Sequence, residues 1–197
     1  MKVAVLGATG RAGFEIVREL VRRGHEVLAV ARKPAVVTGA TALVGDAAGP
    51  ALAPQLAGCD AIVSALHHDI PAATILALAK SAGVPRLLIT GGAGSLRVGE
   101  QRLIDTPDFP AEFRPFAEKG VVFFDDLRSE AEVDWTFVSP AALIFEGPRT
   151  GTFRLGTDKL VVDAKGDSRI SFADFAIVMA DELENHGHPR GRFTAAY

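Results

Sequence analysis

Three glycines, Gly7, Gly10 and Gly13, stand between an apolar run and a helical pattern, and this junction constrains the fold more than any other stretch. The run is Val3-Ala4-Val5-Leu6, which reads as a first strand. Residues from Arg11 to Arg23 follow, with Phe14, Ile16, Val17, Leu20 and Val21 at helical spacing. A turn tight enough to send a strand directly into a helix needs backbone angles that a Cβ disfavours, which accounts for Gly7. Gly10 lets the backbone approach a pyrophosphate, and Gly13 lets the helix pack against the strand. The free N–H groups and the positive dipole end of the new helix favour an anion. The spacing is G-x-x-G-x-x-G rather than G-x-G-x-x-G, but its place between a strand and a helix is the one that gives such a pattern meaning. Ala8, Thr9, Arg11 and Ala12 complete the dinucleotide-binding turn.

Alternation continues down the chain. Strands are expected at Glu26–Ala31, Ala42–Val44, Asp60–Ser64, Arg86–Thr90 and Asp134–Val138. Helices are expected at about Pro50–Ala57, Pro71–Ala82 and Ala111–Ala131. Proline at the opening of the Pro71 helix is tolerated, because the first turn lacks an amide partner in any case. Strands alternating with helices require right-handed crossovers and a parallel sheet covered on both faces, so the fold class is α/β, a Rossmann-type doubly wound sheet. After Pro140 the alternation stops. Thr152–Leu155 and Lys159–Val162 read as a hairpin around Gly156-Thr-Asp158. Ser171 caps a helix running to about Asn185, and Arg192-Phe-Thr-Ala reads as a last strand. One domain, residues 1–197, is expected, with the part from about 141 forming a small cap beside the site. The stretch from Gly91 to Pro110 is a long loop of the kind that tends to serve function.

Composition narrows the partners. The 197 residues carry a net charge of −3, which leaves no basic footprint for nucleic acid. Cys59 is the sole cysteine, so no intrachain disulfide forms, and a reducing, cytoplasmic setting is expected. Lys2-Val-Ala-Val-Leu imitates a leader peptide, but Gly7, Gly10 and Arg11 interrupt the apolar run. No apolar stretch approaches the roughly 20 residues that span a bilayer, so no membrane partner is expected. The expected assembly is a monomer or a homodimer.

Nicotinamide dinucleotides lacking the 2′-phosphate are held by a carboxylate at the end of the second strand. No Asp or Glu lies between Glu26 and Asp46; Arg32 and Lys33 follow the strand instead. With Arg11 in the glycine turn, these cations suit a 2′-phosphate, so NADPH is expected to bind more tightly than NADH. The ends of later strands supply further candidates, because ligands of such sheets sit at the carboxyl ends of the strands. Ser64, Ala65 and Leu66 pass the ribose, and Gly91 follows the next strand. Ser139-Pro140-Ala141 stands where its backbone meets the carboxamide or simply ends the strand. His67 lines the substrate mouth or belongs to a polar loop, with His68 beside it. Adjacent histidines do not share a metal and no third ligand is evident, so no metal is expected. Phe109 and Phe113 cover a planar substrate or anchor the long loop, and Trp135 is read as core.

Residues 7–13 resemble the short-chain dehydrogenase/reductase superfamily in its extended and atypical branches. The resemblance implies that Asp46 meets the adenine amino group, although an Asp in that position also caps loops. It places Ser95, in Thr90-Gly-Gly-Ala-Gly-Ser-Leu96, where the superfamily has its catalytic serine. The usual Tyr and Lys partners are missing: the long helix offers Phe116-Ala-Glu-Lys119, with Phe in the tyrosine's place, and the only tyrosine is Tyr197. Ordinary alcohol dehydrogenase and sugar epimerase chemistry falls with the phenol. Asp134-Trp-Thr-Phe-Val-Ser-Pro-Ala141, Gly151-Thr-Phe-Arg-Leu-Gly156, Val162-Asp-Ala-Lys165 and Ser168-Arg-Ile-Ser171 are similar to the bacterial proteins provisionally named NADH-flavin reductases, which are biliverdin reductase B-like. That resemblance implies hydride transfer from NADPH to a flavin that is substrate rather than prosthetic group, or to another small-molecule acceptor. Two alternatives stand beside it: a non-catalytic NADP(H)-binding redox sensor, and a reductase of a quinone or other conjugated molecule.

Overall fold

The computed structural model describes residues 1–34 and 36–197. The strands are β1 (Lys2–Leu6), β2 (Glu26–Ala31), β3 (Thr41–Val44), β4 (Ala61–Ser64), β5 (Arg86–Thr90), β6 (Arg97–Val98), β7 (Gln101–Arg102), β8 (Asp134–Ser139), β9 (Leu143–Phe145), β10 (Arg154–Gly156), β11 (Arg169–Ser171) and β12 (Gly191–Ala196). The helices are α1 (Arg11–Arg22), α2 (Ala53–Leu56), α3 (Ala72–Ala82), α4 (Arg114–Leu127) and α5 (Phe172–Asn185). Among the described residues, eight strands form one sheet in the order β10-β12-β8-β5-β4-β1-β2-β3. All neighbours are parallel except β10, which runs antiparallel to β12 at the edge. This is a Rossmann-type α/β sheet.

Both faces of the sheet are covered, which is why its central strands are apolar throughout rather than alternating. Val3 and Val5 of β1 point to the core shared with α1 and α5, while Ala4 and Leu6 point to the core under α2, α3 and α4. α1 and α5 pack against each other on the first of these faces. Ser171 caps α5 by accepting a hydrogen bond from the Asp174 amide at 3.0 Å. This was the end marked by the serine in the sequence.

Three expectations change. The long helix begins with a short 3-10 turn, Ala111–Phe113, and its α-helical part ends at Leu127. The Glu130 carboxylate accepts the Glu132 and Val133 amides at 2.6 and 3.0 Å, a local turn that competes with further helix. The hairpin around Gly156 does not form. Arg154–Gly156 instead pairs with Thr194–Ala196 of β12, and Lys159 bridges to Arg97. The edge of β12 offers more partners than a two-stranded ribbon would. The loop after β5 is not featureless either: β6 and β7 form a short antiparallel pair inside it.

Residues after Pro140 extend the sheet through β10 and β12 and place α5 beside α1. The lone tyrosine is a fastener for this region. Tyr197 donates to Asp174 at 2.8 Å and accepts the Ser171 amide at 3.2 Å, which ties the last residue to the start of α5.

Candidate functional site

β1 ends where the backbone must turn back over β2. The amides of Gly7 and Ala8 both reach the Val30 carbonyl, at 3.0 and 3.2 Å. Gly7 has φ +78°, and a Cβ there would stand 2.8 Å from the Ala65 carbonyl oxygen. A Cβ on Gly13 would lie 2.1 Å from the Gly7 oxygen, so that glycine is needed for the turn and helix to touch. Gly10 differs. Its Cβ would meet only the Gly7 oxygen, at 3.4 Å, and otherwise project into open space. Gly10 is also the N-cap of α1 and supplies no side-chain cap, so the first amides of the helix keep their donors for an external anion.

A cavity of about 470 Å³ opens on this turn. Thr9 and Gly10 border it on one side, and Ala31, Arg32 and Asp46 border it at the ends of β2 and β3. A second cavity, of about 730 Å³, continues past Gly10, Ala65, Leu66 and His67, which line both. Its far wall is aromatic and aliphatic: Phe109, Phe113, Phe116, Leu143, Ile144 and Phe172. The first lies at the carboxyl ends of β1, β2 and β4 and the second at those of β4 and β5, where a doubly wound sheet binds its ligand.

The ionisable groups at the second cavity are few. Lys119 of α4 pairs with Asp69 from the loop after β4 and holds that carboxyl below the usual range. His68 is largely enclosed against Phe123 and Phe137, at ring-centroid distances of 4.8 and 5.9 Å. Burial pushes its imidazole down to about 4, against the opposing effect of the Thr90 carbonyl. It is therefore neutral at physiological pH. Its Nε2 is buried and has no partner among the described residues. No group of three metal-ligating side chains occurs among the described residues.

A model of NAD(P)H-binding proteins matches residues 7–186. The chain belongs to the NAD(P)H-binding family. The protein YwnB of Bacillus subtilis, whose activity is not characterised, is 41% identical over 207 residues, covering 98% of this chain and 97% of that protein. A Streptococcus pneumoniae structure provisionally named an NADH-flavin reductase is 38% identical, with 100% and 99% of the two chains covered and a TM-score of 0.90. A Burkholderia pseudomallei structure, provisionally named an exported protein, is 40% identical over the whole of both chains, with a TM-score of 0.92. No helix among the described residues is long and apolar enough to cross a membrane. Membership of this family and the geometry agree: the glycine turn has the open cradle a dinucleotide needs, and it supports an NAD(P)H-dependent oxidoreductase.

The structure separates the residues singled out in the sequence. Gly7, Thr9, Gly10, Arg32, Asp46, Ala65, Leu66 and His67 border the first cavity, and Ala12, Gly91, Phe109 and Phe113 the second. Ala8 and Gly13 are buried behind the turn. The Asp46 carboxylate accepts the Ala48 amide at 3.0 Å, so it caps its loop as well as facing the cavity. Arg11 departs from expectation. It borders the second cavity, with its guanidinium 5.4 Å from the centre of the Phe172 ring, and not the Arg32 end. Lys33 is exposed and borders neither cavity. Ser64, Ser139, Pro140 and Ala141 also stop short of both; Ser139 is fully buried and Ala141 packs in the core. It is the next residues, Ala142 to Ile144, that reach the space.

Ser95 is the largest correction. It lines neither cavity of the cleft. Its buried hydroxyl accepts from Arg192 of β12 at 2.8 Å, on the α4 face of the sheet. A hydroxyl held there cannot meet a substrate beside Gly91. The expected tyrosine–lysine spacing is absent too. Lys119 follows Phe116 by three residues, and Gly120 holds the fourth place; all three border the second cavity. Leu143, Ile144 and Phe172 were not foreseen. They arrive through the β9–β11 pairing and the start of α5, and no local periodicity announces that juxtaposition.

Proposed function

We propose that this protein is an NADPH-dependent reductase whose acceptor is a flavin taken up as a substrate. The observation that carries the reading is the second cavity. It adjoins the dinucleotide cradle, its volume lies within the usual range for small-molecule sites, and its walls are aromatic and aliphatic. It presents no phenol: Phe116 stands at its edge, and Tyr197 is committed to Asp174. Such a site fits a planar, conjugated acceptor better than a carbonyl that needs a protein acid.

When bound, NADPH supplies a hydride from nicotinamide C4, and the flavin accepts it at N5. The chain's own residues bind and orient. The amides at the start of α1 hold the pyrophosphate, and the open face of Gly10 admits it closely. Arg32, exposed at the end of β2, meets the 2′-phosphate. Phe109 and Phe113 cover the acceptor and exclude water. Neutral His68 lacks the second ring proton that an imidazolium acid would give, and Lys119 is engaged by Asp69. Solvent supplies the proton that the reduced flavin takes up later.

Two measurements test this. Arg32→Ala is expected to weaken NADPH by about ten-fold or more and to leave NADH nearly unchanged, since one charge-assisted contact is lost. Equal losses for both nucleotides would remove Arg32 from the 2′-phosphate. Steady-state oxidation of NADPH with FMN, FAD, riboflavin and a quinone tests the acceptor. Turnover is expected with flavins, with no alkaline limb in kcat between pH 6 and 10, because no phenol titrates in the cavity. Tight NADPH binding with turnover of none of the four acceptors would make the protein a redox sensor instead.

A further inference from the structure

A third cavity, of about 310 Å³, lies apart from the cleft and shares no lining residue with it. It sits on the α4 face of the sheet, over β8 and β12. Five arginines line it, Arg97, Arg102, Arg128, Arg190 and Arg192, against one carboxylate, Asp158. That concentration is unusual in a chain whose net charge is −3. Nothing in the dinucleotide reading uses it.

Three of the five guanidiniums are fixed in place. Arg192 is 6% exposed in its side chain, pairs with Asp158, donates to Ser95, and lies 4.4 Å from the centre of the Phe124 ring. Arg102 holds Asp125 through two bonds of 2.8 and 2.7 Å. Arg97 donates to the Glu100 carbonyl at 2.8 Å. Arg128 and Arg190 are exposed, and neither has a carboxylate partner among the described residues. Arg190 also adopts φ +48°, a conformation few non-glycine residues take, at the turn that feeds β12. Trp135 lines the same cavity, with its indole N–H directed to the Glu130 carbonyl at 3.3 Å.

We infer that this cavity is a second ligand site, for a compact phosphate-class oxyanion of two or more negative charges such as pyrophosphate or a phosphate monoester. The guanidinium fork matches the oxygen spacing of phosphate and binds it through paired, charge-assisted bonds. Arg192, already buried and oriented, forms the base of the site, and its one neutralising partner is shared with solvent. Arg128 and Arg190 have donors to spare and supply the charge that Asp158 does not cancel. The concave shape and small volume suit a small molecule, and the acidic chain as a whole does not suit a nucleic-acid backbone. Ser95 is then a positioning residue for Arg192 in this site, which explains a buried serine hydroxyl the cleft does not use.

The chain has a single tryptophan, Trp135, so its fluorescence reports on this cavity directly. The intact protein is titrated with pyrophosphate against sodium chloride of matched ionic strength, by fluorescence and by calorimetry in parallel. Saturable pyrophosphate binding is expected in both, with no response to chloride. The double variant Arg128→Gln, Arg190→Gly should lose about a hundred-fold in affinity, roughly ten-fold for each charge-assisted contact. Glycine at position 190 accepts the positive φ, so the fold is kept. Saturating NADP+, which fills the α1 cradle, should leave the pyrophosphate affinity unchanged, since the third cavity shares no residue with it. Absence of saturable binding by both methods, full affinity in the double variant, or loss of binding when NADP+ is present would each overturn the site.

Discussion

Gly10→Val is expected to reduce dinucleotide affinity by about a hundred-fold or more while the protein remains folded. Gly10 sits in extended backbone at φ −75° and ψ 163°, which valine accepts, and its Cβ direction meets only one protein atom within 4 Å. The added methyls would therefore enter the space where both cavities meet rather than the protein interior. A pyrophosphate kept from the α1 amides forfeits at least two charge-assisted hydrogen bonds, which sets the scale. The contrast with Gly13 makes the test sharp. Gly13→Val would press a Cβ into the Gly7 carbonyl and is expected to damage the fold along with binding. The measurement is a fluorescence titration with NADPH, run beside a thermal melt. A Gly10→Val protein that melts normally and binds NADPH with parental affinity would place the dinucleotide elsewhere.

Glu182→Ala is expected to cost about 3–5 kcal/mol of stability, because it strands a buried cation. Glu182 is 3% exposed. Its carboxylate accepts from Arg86 at 2.8 Å, Thr136 at 3.1 Å and the His188 amide at 3.0 Å, and its second oxygen meets His188 Nδ1 at 2.7 Å. Without it the buried Arg86 keeps only Asp134, at 3.4 Å. For a protein of this size the loss corresponds to a fall in Tm of roughly 6–20 °C. Replacing both partners, Arg86→Met with Glu182→Met, should cost much less than the sum of the single changes, since no charge is then left buried. A single-variant melt within a degree or two of the parent would remove the network from the stability of the fold.

The same carboxyl sets an acid limit. Burial alone would raise it, but the hydrogen bonds from His188 and Thr136 overcome that and hold it below the ordinary carboxylate range. A carboxyl depressed in the folded state contributes stability that is complete above its unfolded value, about 4.3, and is lost as pH falls toward and through the folded value. The difference in stability between parent and Glu182→Ala should therefore shrink on acidification below about pH 4.

Much of the site was legible before any coordinates. Gly7 and Gly13 serve the turn and the packing they were assigned, and Gly10 faces open space, because each is set by the backbone within a few residues of the glycine. The strand ends at Ala31 and Thr90 were equally plain, since runs such as Val-Leu-Ala-Val-Ala and Leu-Leu-Ile-Thr have one stable place in a sheet covered on both sides. Tyr197 was left out of the chemistry for its place at the chain's end, and the structure gives it a bond to Asp174.

What the sequence could not settle were directions and distant pairings. Arg11 and Arg32 read alike as free cations near a phosphate, but the packing of α5 beside α1 sets Phe172 against one and leaves the other at the end of β2. Ser95 occupies a catalytic serine's place along the chain, yet its side chain meets Arg192, 97 residues away, which arrives only when β12 pairs with β8. Leu155 looked like one arm of a hairpin until the C-terminal strand offered it an open edge. The five arginines of the third cavity come from three distant segments, the β6–β7 pair, the end of α4 and the start of β12, and form no motif. Periodicity and glycine placement act within one element, where backbone sterics decide. The facing of a side chain and the company it keeps depend on strand order and helix packing, which are settled only by burying the whole apolar surface at once.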